Sequence, residues 1–202
     1  LAAATLQGCG IAQGTGGGSF DPGGTLTRAQ ACTLVVGLMG LSSQVSTYGR
    51  KTLFSDIAPS AWYNSYVDLA YAKGVINGYG DGTFGPNDPI TYGQLATIVL
   101  RLLGYTSAEI GSVWPLDYTA FADALGLNGS LTLTADQDLT RGQAAVLLAN
   151  TLRAKTAGGQ DYYQTISTVK STAEAVLLDT SASYGGGTEL LMAYVLDGSG
   201  IQ

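Results

Sequence analysis

Gly74-Val75-Ile76-Asn77-Gly78-Tyr79-Gly80-Asp81-Gly82-Thr83-Phe84-Gly85-Pro86 decides how this chain is read, because five glycines in thirteen residues exclude a helix. The stretch is expected to be a compact loop, with Val75-Ile76 briefly extended and Phe84 as its apolar anchor. Upstream, Trp62, Tyr66, Leu69 and Ala70 fall at i, i+4, i+7 and i+8. That spacing predicts a helix, which Ser60 would cap and Gly74 would end in a left-handed turn. Downstream, Pro86 and Pro89 stiffen the approach to a second helix that starts at Thr91. Leu95, Ile98, Val99, Leu102 and Leu103 form its apolar stripe. The unit is therefore helix, glycine-rich loop, helix.

The unit recurs. Residues 10–40 align without gaps onto residues 74–104, with 12 of 31 positions identical, among them Gly14/Gly78, Gly18/Gly82, Phe20/Phe84, Pro22/Pro86, Thr27/Thr91 and Gln30/Gln94. A third copy lies 52 residues on, where Trp62, Tyr66 and Gly74 meet Trp114, Tyr118 and Gly126. After a three-residue deletion the offset becomes 49, placing Leu95, Ile98 and Val99 on Ala144, Leu147 and Leu148. The repeats span about 1–40, 54–104 and 114–155, and together they form an expected repeat domain over 1–155. Leu1 aligns with Ser65, so the chain is expected to begin inside a repeat, as a fragment or processed form would.

Each copy carries Thr-x-x-Gln before its second helix: Thr27 with Gln30, Thr91 with Gln94 and Thr140 with Gln143. These are capping boxes, in which the two side chains satisfy each other's backbone amides. At the first helical position sit Arg28 and Arg141, where a cation opposes the helix dipole. One explanation is an exposed surface arginine; the other is an anion site, with guanidinium and free helix amides converging on a carboxylate or phosphate.

Composition narrows the chemistry. The chain has 202 residues, 12% of them charged, a net charge of −6 and no histidine. The acidic balance argues against nucleic acid, and the missing histidine removes Ser-His and Cys-His pairs and the commonest metal ligand. Asp56, Asp81 and Asp88 are scattered over loops, so no catalytic residue, metal or cofactor is assigned. Cys9 and Cys32 lack C-x-x-C spacing and are read as free, buried thiols, with one bridge as the alternative. No apolar run is long enough for membrane insertion.

Phe54-Ser55-Asp56-Ile57, Trp62, the loop from Gly74 to Asn87 and Ile90-Thr91 resemble an S-layer homology repeat. Leu26-Thr27-Arg28 and Leu139-Thr140-Arg141 match that family's Thr-Arg-Ala-Glu signature. The resemblance implies a mainly α fold in which three tandem repeats form a pseudo-threefold spindle around a three-helix bundle. It further implies non-enzymatic anchoring of a secreted protein to a Gram-positive-type wall, through grooves that bind secondary cell wall polysaccharide bearing pyruvylated N-acetylmannosamine. By resemblance, Arg28 and Arg141 would clamp the pyruvyl carboxylate and Asp56 would accept from sugar hydroxyls. Trp62 and Trp114 would offer ring faces, and Gly80, Asp81, Gly82 and Thr83 would supply loop donors. Plainer alternatives stand beside these: the tryptophans as core, and Asp56 as the cap of a turn.

The chain also departs from the pattern. Tyr92 replaces the arginine in the second copy, and glutamine replaces the signature glutamate in all three. Asn128 to Leu133 replaces the glycine-rich loop in the third copy, and the first copy lacks its tryptophan. At most two grooves are expected to be complete. Beyond Lys155 the pattern changes. Residues 162–169, 173–178 and 189–196 are rich in Val, Ile, Leu and Tyr, and predict an antiparallel β tail over 156–202 that pairs with the repeat domain, with a further domain or with another subunit. The competing function is a structural subunit of a surface layer or filament, with the repeats making protein contacts.

Overall fold

The computed structural model describes residues 2–12, 20–48 and 53–166, and these are mainly α. The helices are α1 (Ala2–Gly8), α2 (Arg28–Leu38), α3 (Val45–Tyr48), α4 (Asn64–Ala72), α5 (Tyr92–Leu102), α6 (Ser107–Ile110), α7 (Leu116–Ala124) and α8 (Arg141–Arg153). All three expected capping boxes form, at Thr27, Thr91 and Thr140, and each opens the second helix of its copy. The first helices end as expected: Gly10, Gly74 and Gly126 take φ of 69°, 72° and 73°. The amide that follows each glycine donates back into the preceding turn, as in Ile11 to Leu6 at 2.8 Å and Leu127 to Ala122 at 3.0 Å.

The copies exchange partners. Within no copy does the first helix find its main neighbour in its own second helix; α4 packs on α2, α7 on α5 and α1 on α8. α8 also touches both α2 and α5. Positions aligned in the repeat, such as Val35, Val99 and Leu148, are all buried in one continuous core. At the mouth of that core three backbone hydrogen bonds close on one another. The Leu26 amide donates to the Leu139 carbonyl at 3.0 Å, the Leu139 amide to the Ile90 carbonyl at 2.9 Å, and the Ile90 amide to the Leu26 carbonyl at 3.0 Å. The three side chains are buried.

Several expectations are corrected. Ser60 does not cap a helix: the chain makes two turns, Ala61 to Ala58 and Asn64 to Ala61, before α4 begins after Tyr63 without a side-chain cap. Trp62 therefore sits in a turn and is 59% exposed, and Trp114 is 57% exposed, so neither is core. α5 is buried on more than the one face its stripe suggests: Tyr92, Gly93, Ala96, Thr97 and Leu100 are buried as well, and the helix packs against both α7 and α8. The expected strand from Tyr162 is a 3-10 helix over its described part, Tyr162–Thr165. There the Tyr162 side chain is buried, its hydroxyl donating to the Leu38 carbonyl at 3.2 Å, and this docking turns the backbone instead of extending it. The expected strands at 173–178 and 189–196, like Gly14 and Gly18, lie outside the described residues.

Cys9 and Cys32 are free and buried. Burial pushes the Cys9 thiol up to about 11 and raises that of Cys32 further. A raised thiol pKa means the native state holds its protons, so this contribution is complete at neutral pH and is lost as pH rises past the ordinary thiol range. At pH 8 the Cys9 thiol therefore stays protonated in the native protein. Iodoacetamide should leave both cysteines unlabelled in the native protein and modify both after denaturation without reductant, as read by intact mass.

The loop tolerates no side chain at Gly78, where a Cβ would overlap the Thr83 carbonyl oxygen and the Phe54 ring. Gly78→Ala should cost roughly 1–3 kcal/mol by thermal unfolding. Gly23→Ala, with nothing within 4 Å of the added carbon, should leave the melting temperature unchanged.

Candidate functional site

The candidate site grows out of the way the second helices begin. A helix start leaves its first amides without intrahelical partners. Here the loop of the next copy satisfies them. Arg28 and Ala29 of α2 donate to the Asp88 and Pro86 carbonyls at 2.9 and 3.0 Å, and Tyr92 and Gly93 of α5 to those of Gln137 and Ala135 at 2.9 and 2.8 Å. Arg141 and Gly142 of α8 close the cycle onto Gly24 and Pro22 at 2.8 and 2.9 Å. The third amide in each case goes to the capping threonine. These helix starts have no free amides to offer an anion, which corrects that part of the expectation. The approach is also tight: a Cβ on Gly93 would stand 2.7 Å from Pro115 Cβ and 3.0 Å from the Ala135 oxygen.

The arginines reinforce the same joints. Arg28 is 7% exposed, so it is not a surface arginine. Its Nε donates to the Phe84 carbonyl at 2.8 Å and its Nη2 to the Asn77 carbonyl at 3.4 Å. The guanidinium carbon lies 4.5 Å from the Tyr79 ring centre and 4.8 Å from that of Phe84. Burial pulls the Arg28 pKa down, while Tyr79, Asp88 and Asp56 oppose the shift. Arg141 repeats the arrangement against the first copy, with Nε 2.9 Å from the Phe20 carbonyl and the cation 5.1 Å from the Phe20 ring centre. Tyr92 takes the place of an arginine at the third joint. Buried, it donates to the Asp123 carboxylate, and burial followed by that bond raises its pKa.

Two grooves lie beside the arginine joints. The first, about 470 Å³, is lined by Arg28, Gln94, Thr97, Arg101 and Trp114, with Asn77 and Tyr79 at its loop side. The second, about 440 Å³, is lined by Arg141, Gln30, Thr33, Trp62 and Tyr66. The linings correspond through the repeat: Arg28 to Arg141, Gln94 to Gln30, Thr97 to Thr33 and Trp114 to Trp62. Each tryptophan comes from the copy that follows the helix it faces, and Trp114 Nε1 donates to Thr97 Oγ1 at 3.0 Å. In both capping boxes the glutamine Oε1 accepts from the threonine amide, which leaves the NH2 group for the groove. Neither lining includes a carboxylate.

Of the residues singled out from the sequence, the structure thus brings Arg28 together with Trp114 and Arg141 with Trp62. Asp56 holds the loop: its two carboxylate oxygens accept from the Phe84 and Gly85 amides at 2.9 and 2.7 Å. Asp81 accepts from the Thr83 amide and hydroxyl, which lowers its pKa, so Thr83 supplies no spare amide. Gly80, Asp81, Gly82 and Thr83 lie outside both linings. Thr97, Thr33 and Arg101 line the grooves without having stood out in the sequence. Polar residues at 94, 97 and 101 on an otherwise apolar helix were the available signal.

Residues 2–32 and 53–96 match the S-layer homology domain. The chain carries S-layer homology repeats. It is 31% identical over 148 residues to the "Middle cell wall protein" of Brevibacillus brevis, covering 73% of this chain and 14% of that protein. It is 32% identical over 187 residues to a "Cell surface protein" of Thermoanaerobacter kivui, covering 90% of this chain and 24% of that protein. Over 91 residues it is 30% identical to the "Cellulosome-anchoring protein" of Acetivibrio thermocellus, covering 45% of this chain and 20% of that one. The S-layer homology chain thus spans less than a quarter of the length of these relatives. Among its described residues no helix is long and apolar enough to cross a membrane.

If Arg28 holds a joint, its removal should loosen the fold. Arg28→Met strands the Phe84 and Asn77 carbonyls, and should destabilise the protein by about 2–4 kcal/mol in urea unfolding. Tyr92→Phe, which removes only one hydroxyl, should cost about 1–2 kcal/mol.

Proposed function

We propose that the repeats act without catalysis, as a cell-surface anchor that binds wall polysaccharide. The repeat domain of 1–155 is taken as a pseudo-threefold spindle around α2, α5 and α8. The cycle of helix-start hydrogen bonds and the exchanged helix pairs support that arrangement. The observation that carries the function is the pairing, in two grooves, of an exposed indole with hydroxyl, amide and guanidinium donors. Such a lining suits a sugar, whose apolar face stacks on an aromatic ring while its hydroxyls take hydrogen bonds. The surface and anchoring proteins among the relatives support the location at the cell wall. Through the family resemblance, a secondary wall polymer with pyruvylated N-acetylmannosamine is the candidate ligand.

In this account Trp62 and Trp114 contact the glycan, while Arg28 and Arg141 shape the grooves and lend charge at their walls. Asp56 and the loop from Gly80 to Thr83 hold the scaffold. The Tyr92 joint favours a second role, since a joint closed by Tyr92 and Asp123 can serve assembly without ligand. Residues 156–202 would belong to that second role, as contacts with other parts of the parent protein or with other subunits.

The test is retention of the 202-residue chain on purified cell wall sacculi, before and after acid removal of the secondary polymer. Retention should depend on the polymer. Trp62→Ala combined with Trp114→Ala should reduce it at least tenfold at unchanged stability. Equal retention on stripped sacculi, or none on either, would contradict the anchor.

A further inference from the structure

Asparagine stands before glycine at Asn77-Gly78 and at Asn128-Gly129, and the structure treats the two pairs differently. Such a pair is chemically labile, because glycine puts no side chain in front of its own amide nitrogen, which can then close on the asparagine Cγ. At Asn128 the reacting atoms are held apart. The Asn128 Nδ2 donates to the Leu131 carbonyl at 3.1 Å, the Gly129 amide to the Gly126 carbonyl at 3.1 Å, and the Leu131 amide to the Asn128 carbonyl at 3.1 Å. Closure there must give up all three bonds.

At Asn77 little stands in the way. Its side chain is exposed, and among the described residues neither that side chain nor the Gly78 amide makes a hydrogen bond. Asn77 belongs to no helix or bridge. Its carbonyl accepts the long bond from Arg28 Nη2, at 3.4 Å, and that is the one bond closure gives up. Asn87, in the same loop, precedes an amide already bonded, from Asp88 to the Gly85 carbonyl at 3.2 Å.

We propose that Asn77 is a site of spontaneous deamidation, selected by the fold over Asn128, and that the reaction changes the charge of the joint between the first two copies. The Gly78 nitrogen, having lost its proton to hydroxide, attacks Asn77 Cγ. The N–Cγ bond forms, the Cγ–Nδ2 bond breaks, and ammonia leaves with a proton taken from water. Water then opens the succinimide. Attack at Cγ gives aspartate; attack at the main-chain carbonyl carbon gives isoaspartate, with the backbone running through the former side chain. Either product puts a carboxylate into the wall of the first groove, whose lining includes Arg28 and Arg101 and no acidic residue. In isoaspartate the carbonyl that accepts from Arg28 Nη2 itself becomes the carboxylate, so a neutral acceptor at the joint turns into an anion. The proposal is independent of what the groove binds.

Ageing the full chain at mildly alkaline pH tests it, with the tryptic peptides 74–101 and 102–141 followed by mass spectrometry and fragmentation separating Asn77 from Asn87. In the native protein Asn77 should convert roughly tenfold to a hundredfold faster than Asn128, the scale of two hydrogen bonds. Aspartate and isoaspartate should both appear, resolved by chromatography. In denaturant, where none of these bonds exists, the two pairs should convert at similar rates. Asn77→Gln should abolish the main acidic species that ion exchange detects in aged protein. Conversion of Asn128 as fast as Asn77 in the native protein would overturn the proposal. So would a ratio unchanged in denaturant, or a native Asn77 that stays intact while the denatured chain deamidates.

Discussion

Three backbone hydrogen bonds, from Leu26 to Leu139, Leu139 to Ile90 and Ile90 back to Leu26, are the constraint on which the rest of the structure depends. Each joins two copies of the repeat, and all three residues are buried. Breaking one leaves a donor and an acceptor without water, at about 1–3 kcal/mol for each unsatisfied group. A ring of this kind cannot lose one member and keep the others in register. It also sets where each second helix starts, one residue after the bridges Thr27 to Pro89, Thr91 to Asp138 and Thr140 to Thr25. From those starts follow the helix-to-loop amide bonds, the close approach at Gly93 and Gly142, and the grooves beside them.

Arginine at the first helical position shows how a charge unfavourable to its own helix can join two copies. A cation there opposes the helix dipole, yet Arg28 lies where two loop carbonyls and two aromatic rings meet it. The carbonyls supply the negative potential that the helix start does not. The guanidinium then works as a bolt between copies, and the groove beside it is lined by indole, amide and hydroxyl groups and, in one case, by Arg101. At the third joint Tyr92 does the bolt's work with a hydroxyl and the Asp123 carboxylate.

Local features were legible in the sequence because they depend on residues close in the chain. The three capping boxes, the left-handed glycines that end the first helices and the buried stripes of the second helices stand where the repeat offset put them. What joins distant residues was not legible. Nothing in the spacing says that α4 belongs to α2 and α1 to α8, because the same apolar faces would serve pairing within one copy. The bonding of Arg28 depends on a loop 56 residues away, and that of Arg141 on one 121 residues away. Trp62 misled for a local reason: helical spacing from Tyr66 put it on a buried face, while the turn at Ala61 takes it off the helix and into a groove.

The central claim is that the copies close into one cooperative ring, and native-state hydrogen exchange tests it most directly. The amides of Leu26, Ile90 and Leu139 should be among the slowest in the chain and should share one opening free energy, equal to that of global unfolding. Exchange of any one of the three through a cheaper, separate opening would contradict the account.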